Sequence, residues 1–159
     1  MRIGLGYDVH AFAKDREFWL GGVLIEHHQG LAGHSDADVL IHSICDALLG
    51  AVNLGDIGSN FPDSDKKYKD IRSTALLKSV AEKYKNIGYK IVNIDSVVVL
   101  QKPKIAPYIP KMREEIANCL NIDVNQISIK ATTTEHLGFE GREEGVSAYA
   151  VVLVEKEFV

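Results

Sequence analysis

Asp8-x-His10 sets a carboxylate and an imidazole two residues apart. On an extended strand, residues i and i+2 share a face, so the two side chains stand together. A second set has helical spacing: Asp38, His42 and Asp46 recur every fourth residue among Leu40, Ile41, Ile44, Leu48 and Leu49. Such a polar stripe on an apolar helix costs about 1–3 kcal/mol per buried group left without a partner. A metal at Asp8, His10 and His42 supplies the partner, and Asp38 or Asp46 is then available to support a ligand or touch substrate. Two imidazoles and one carboxylate are the donor set of a catalytic Zn²⁺ with a fourth position open. The ion keeps about one positive charge after the carboxylate, which favours an anion there. An Asp–His hydrogen bond at a strand end and a polar core network are the non-metal readings of the same residues.

Two further segments suit phosphate. Gly33-His34-Ser35 leads into the helix carrying His42. Ser35 is a good N-cap with Asp38 at the capping-box position, and a helix N-terminus offers free N–H groups and a positive dipole end. Thr132-Thr133-Thr134-Glu135 offers hydroxyl donors and a hard carboxylate ligand for Mg²⁺ or Mn²⁺. Other motifs fail. Gly4-x-Gly6 lacks the third glycine of a dinucleotide loop, since position 9 is Val9. Asp63-x-Asp65 is followed by Tyr68 where a calcium loop needs glycine.

The elements that must position these groups follow from periodicity. Residues 2–12 alternate: Ile3, Leu5, Tyr7, Val9 and Ala11 form an apolar face, and Gly4, Gly6, Asp8, His10 and Phe12 an opposite face read as lying away from the core. More strand is predicted at 17–25, then helices at about 36–52, 70–86 and 108–120 and strands at 90–101, 127–133 and 145–155. On the 90–101 strand, Val92, Ile94, Val98 and Leu100 are placed on one face. A charged loop, 55–70, separates the first two helices. The last strand, with Val-Ser-Ala-Tyr-Ala-Val-Val-Leu-Val, is apolar or small on both faces. Helices cover one face of such a sheet, so the other is expected to meet another subunit.

The chain has 159 residues, 46% apolar and 25% charged, which fits one α+β domain over 1–159. With 18 Lys+Arg against 22 Asp+Glu, it lacks the basic face of a nucleic-acid binder. No apolar run approaches the length of a membrane span, and the N-terminus does not read as a secretory signal, so a cytoplasmic protein is expected. Cys45 and Cys119 read as buried thiols.

Together these segments resemble the 2-C-methyl-D-erythritol 2,4-cyclodiphosphate synthase family in its single-function form. The resemblance runs in order through Arg2–Phe12, Gly33–His42, Asp46–Ala51, Gly55–Gly58, Phe61–Asp65, Pro103-Lys104, Ile109–Arg113, Lys130–Glu135 and Gly138–Gly145. It implies a mixed four-stranded sheet with helices packed on one face, the other face toward a homotrimer axis. It implies closure of a cytidine-diphosphate substrate into a cyclic diphosphate with release of CMP. It assigns zinc to Asp8, His10 and His42, phosphate contacts to His34 and Ser35, and transition-state stabilisation to His34 with Thr133. Glu135 is implied to hold Mg²⁺ or Mn²⁺. Asp46, Asp56 and Gly58 match contacts to the methylerythritol, and Phe61, Pro62, Asp63, Ser64 and Asp65 a lid over it. The cytidine pocket is matched by Leu100, Gln101, Lys102, Pro103, Lys104, Ile105 and Ala106 with Ala131, Thr132, Thr133 and Thr134. Phe139, Arg142 and Glu144 match the wall of an axial cavity for an isoprenoid diphosphate or phosphate. Glu143 adds an acid there, and a salt bridge between subunits is the other reading of Arg142 and Glu144. A zinc-dependent phosphohydrolase with Asp38, Asp46 or Asp56 as base, and a non-enzymatic trimer binding isoprenoid diphosphates, are the competing functions.

Overall fold

A computed structural model describes residues 1–62 and 64–157. Asp63, one of the expected lid residues, lies outside them. Strand β1 (Arg2–Ala13) is followed by a short hairpin, β2 (Phe18–Leu20) and β3 (Val23–Ile25), and by the two-residue strand β4 (Gly30–Leu31). Helix α1 (Val39–Ala51), the short α2 (Ile57–Asn60) and α3 (Ser73–Asn86) lead to β5 (Tyr89–Val99). Helix α4 (Ile109–Leu120), β6 (Ile127–Thr132), the short α5 (Gly138–Gly141) and β7 (Gly145–Lys156) complete the chain. No helix among the described residues is long and apolar enough to cross a membrane.

The sheet is mixed, in order β4-β1-β7-β5-β6. It has five strands rather than the expected four, because Phe12 and Ala13 pair with Leu31 and Gly30. Strands β5 and β6 are parallel and joined through α4, while the other pairs are antiparallel. A register shift between Ile91 and Asn93 leaves Val92 unpaired. The bulge puts Ile91, not Val92, in the core with Ile94, Val98 and Leu100.

Strand β1 has its faces the other way round from the sequence reading. Ile3, Leu5, Tyr7 and Val9 point away from the helices, with Ile3 and Leu5 71% and 69% exposed. The glycine face is the inner one. A Cβ at Gly4 would lie 1.8 Å from the Ala47 carbonyl oxygen, and one at Gly6 1.9 Å from that of Ser43. The backbones of β1 and α1 therefore touch directly, which only glycine permits. Asp8 and His10 continue this inner face, so the contact delivers them to the side of α1 that carries His42. Gly6→Ala is expected to lower stability by about 2–3 kcal/mol, the upper range for overpacking, because backbone rather than a side-chain tip must move; a urea titration reads it.

The outer face carries Ile3, Leu5, Tyr7 and Val9 beside Tyr149 and Val151, all exposed. The Tyr7 and Tyr149 rings sit 4.7 Å apart there. The inner residues of β7, Val146, Ala148, Ala150, Val152 and Val154, are buried under the helices.

Candidate functional site

Helix α1 starts later than its sequence suggests. Its N-cap is Asp38, not Ser35, and the Asp38 carboxylate accepts from the Ile41 N–H. The same carboxylate accepts from the N–H groups of Gly21, at 2.9 Å, and Gly22, at 2.7 Å, in the β2–β3 turn. Asp38 is fully buried, and burial, with Asp36 nearby, pushes its carboxyl upward against these bonds. This corrects two expectations. The helix end is capped by a carboxylate rather than left open, and the Asp38 side chain is bound to backbone N–H groups rather than to Asp8 or His42. Ser35 instead accepts from the Ala37 N–H at 3.1 Å, tightening the turn before the helix.

The three expected metal donors meet. Asp8 Oδ2 lies 3.0 Å from His10 Nε2 and 3.0 Å from His42 Nδ1, and the two nitrogens are 3.2 Å apart. A tetrahedral ion with bonds of about 2.0–2.1 Å spaces its ligand atoms about 3.3 Å apart, so the triangle already has nearly the right size. The donor set and its spacing fit a divalent cation. Burial works to raise the Asp8 carboxyl, yet the His10 and His42 imidazoles beside it outweigh this and hold it at about 2. Burial likewise works to lower His10, and the Asp8 carboxylate outweighs it and raises the imidazole above its ordinary value.

These residues line a cleft of about 250 Å³ with Gly33, His34, Ser35, Gly58 and Phe61. His34 Nε2 is buried without a hydrogen-bond partner among the described residues. Asp46 lies outside the triad, half-buried, and accepts from the Ile57 N–H at 2.7 Å. Burial is the largest influence on its carboxyl and raises it; the Ile57 N–H opposes this, and Asp56 and Asp8 add to it. Asp56 caps α2 in a reciprocal capping box with Ser59 and is exposed. Phe61 is buried in the cleft wall against Tyr68, rings at 89°. Beyond Pro62 and Ser64, Asp65 caps a helical turn at Lys66–Tyr68. Tyr68, Ile71 and Leu76 also line the cleft. No motif flags them, because they contribute only apolar wall.

A second cleft, of about 350 Å³, gathers Leu100, Gln101, Pro103 to Ala106 and Ala131 to Thr133. Of the segment matched to cytidine, Lys102 points elsewhere, pairing with Glu143 at 3.0 Å. After β6, Glu135 and His136 both take left-handed backbone angles. Thr133 Oγ1 donates to Glu135 Oε1 at 3.1 Å, and Thr134 Oγ1 donates to the Leu137 carbonyl. Arg142 forms a two-point ion pair with Glu144 of its own chain, 2.8 and 3.0 Å, close to Phe139 in sequence.

The two clefts share no lining residue. Asp8, Ala148, Val98 and Ala131 form one row across β1, β7, β5 and β6. Three strand spacings separate its ends by about 14 Å. Within one chain His34 and Thr133 line different clefts.

Comparison with known proteins agrees with this geometry. The model of the YgbB family matches residues 1–155. The chain is 60% identical over 156 residues to 2-C-methyl-D-erythritol 2,4-cyclodiphosphate synthase of Syntrophomonas wolfei, covering 98% of this chain and 99% of that protein. Among solved structures it resembles the bifunctional IspDF of Campylobacter jejuni (TM-score 0.95, 45% identity), covering 98% of this chain but spanning only 42% of that longer one. It also resembles a CDP complex of IspF from Plasmodium falciparum (TM-score 0.87, 34% identity), covering 99% of this chain and 97% of that one. By sequence and by fold, the chain belongs to the YgbB family.

Proposed function

We propose that the chain converts 4-diphosphocytidyl-2-C-methyl-D-erythritol 2-phosphate into 2-C-methyl-D-erythritol 2,4-cyclodiphosphate and CMP. Its family relatives make it an enzyme, a lyase of isoprenoid biosynthesis. The observation that carries the finer reading is the Asp8–His10–His42 triangle opening on a cleft whose lining, among the described residues, holds no cysteine and one serine, Ser35, whose hydroxyl oxygen accepts from the Ala37 N–H. The substrate supplies its own nucleophile: a 2-phosphate oxygen bonds to the β-phosphorus, and the bond from that phosphorus to the oxygen of the α-phosphate breaks, releasing CMP. The protein's part is positioning and charge stabilisation.

Asp8, His10 and His42 would hold Zn²⁺, and Glu135 would hold Mg²⁺ or Mn²⁺. When bound, such cations neutralise phosphate charge on the attacking and leaving groups. His34 and Ser35 contact the phosphates; the partnerless Nε2 of His34 supports this, since buried polar atoms rarely stay unpaired. Asp46, Asp56 and Gly58 contact the methylerythritol beneath Phe61–Asp65. The second cleft receives the cytidine, in keeping with the CDP held by the Plasmodium falciparum structure. Phosphorus NMR of the products tests the reaction: cyclic diphosphate with stoichiometric CMP is expected, and linear phosphates alone would replace it with hydrolysis. Hydrolysis is already disfavoured at one candidate base, since Asp38 is occupied by three backbone N–H groups.

The unit that does this is a homotrimer. Clefts about 14 Å apart within one chain complete each other when the second comes from a neighbour, which brings Thr133 to His34. The exposed apolar band on β1 and β7 is the surface for that contact, and Phe139 and Arg142 then face the axial cavity. Light scattering is expected to give three chains, and Leu5→Asp, a charge placed in the band, to give monomer. A further outcome separates metal chemistry from nucleotide binding. Glu135→Gln is expected to lower turnover about 100-fold while CMP affinity changes less than about threefold. Equal losses would remove Glu135 from the metal.

A further inference from the structure

His42 presents Nδ1 to Asp8 and its other nitrogen, Nε2, to the Ser73 hydroxyl at 2.8 Å. Ser73 opens α3, far from His42 in sequence, and is fully buried. Its hydroxyl also meets Asp36 Oδ1. The Asp36 carboxylate is held from three further sides: Oδ2 accepts from Arg72 Nε at 2.8 Å and from the Ser73 N–H at 3.0 Å, and Oδ1 accepts from the Asp38 N–H at 3.3 Å. The Arg72 guanidinium in turn lies over the Trp19 ring, 3.2 Å from its centroid.

The polarity of this chain of bonds has one solution. A carboxylate paired with Arg72 only accepts, so the single hydroxyl proton of Ser73 goes to Asp36. Toward His42, Ser73 is then an acceptor, and Nε2 must carry the hydrogen. The Nδ1 lone pair is left facing Asp8 and His10. The nearby Ser35 hydroxyl, 3.3 Å from Nε2, does not reverse this, because it too can accept from Nε2–H while it accepts from Ala37.

We infer that Ser73, oriented by Asp36, is the positioning residue that sets the tautomer and ring angle of His42, and so prepares Nδ1 as a metal ligand. This rests on the reading of Asp8, His10 and His42 as a metal site. Partners behind a metal-binding imidazole characteristically change metal affinity by about 10–100-fold.

The test compares wild type, Ser73→Ala, Ser73→Thr and His42→Ala as full chains. Zinc affinity is measured by competition with a chromogenic chelator, and the His42 ring by nitrogen NMR of histidine-labelled protein. Ser73→Ala is expected to bind zinc about 10–100-fold more weakly and to lose the exchange-protected Nε2–H signal, and Ser73→Thr, which keeps the hydroxyl, to restore both. Ser73→Ala with zinc affinity within about twofold of wild type, or with the Nε2–H signal intact, would overturn the assignment. If His42→Ala binds zinc as wild type does, the metal reading fails instead, and the NMR signal alone then decides whether Ser73 sets the tautomer. Thermal unfolding of each variant separates loss of the hydrogen bond from loss of the fold.

Discussion

Replacing His42 by alanine is expected to empty the chain of its divalent ion and abolish turnover while leaving nucleotide binding in place. His42 supplies one of three protein donors, and the remaining pair, Asp8 and His10, closes no triangle. Loss of a direct ligand should exceed the about 10–100-fold affinity change that removal of a supporting partner causes. Elemental analysis after dialysis reads the metal, and CMP release reads the turnover. CMP binding should survive, because the cleft at Leu100–Ala106 lies across the sheet and takes no part of its wall from α1. A non-enzymatic protein that bound isoprenoid diphosphates near Arg142 would be indifferent to the substitution in both function and ligand binding. The variant thus separates the two readings in one preparation.

Asp38→Ala is expected to act on stability instead, by about 4 kcal/mol or more, enough to leave little folded protein. Three N–H groups, those of buried Gly21 and Ile41 and of half-buried Gly22, would lose this acceptor, at about 1–3 kcal/mol for each buried one. The β2–β3 turn would also lose its attachment to the start of α1. Denaturant titration measures the loss. Asp38→Asn discriminates the cause: it keeps one acceptor oxygen but turns an NH2 group toward backbone donors, so it should fall between wild type and alanine. Metal bound by whatever fraction remains folded should be normal, since the Asp38 carboxylate bonds Gly21, Gly22 and Ile41 and not the side chains of Asp8, His10 or His42, and the bond from the His42 N–H goes to the Asp38 carbonyl, which alanine keeps. If Asp38→Ala kept stability and lost metal, its role would be at the site after all.

Asp38 illustrates why some of the site escaped a reading of the sequence. A carboxylate at helical spacing from His42 has the same appearance whether it serves the metal or the backbone. The deciding partners, Gly21 and Gly22, arrive from a hairpin, and nothing in the spacing 38–42–46 announces them. Strand β1 shows the same limit. Its alternation defines two faces without saying which one is inside. Bulk suggests the Ile3–Val9 face, yet the glycine face is inner because α1 approaches within backbone contact of Gly4 and Gly6. Ser73 and Asp36 carry no motif, and their link to His42 exists only once α3 packs on α1.

What the sequence by itself determined was local and chemical. The i, i+2 pairing of Asp8 and His10, the placing of His42 on a buried helix and the two-faced last strand follow from periods of 2 and 3.6 residues and from side-chain chemistry, whereas the pairing of Leu100–Ala106 with Ala131–Thr133 comes only from resemblance to a family. The tertiary structure decided matters that depend on contacts between distant segments: which face of β1 is inner, which residue caps α1, and that the metal triangle and the second cleft stand about 14 Å apart in one chain. The reason is that hydrogen-bond partners and close approach are properties of pairs of elements, and no period along a single element encodes them.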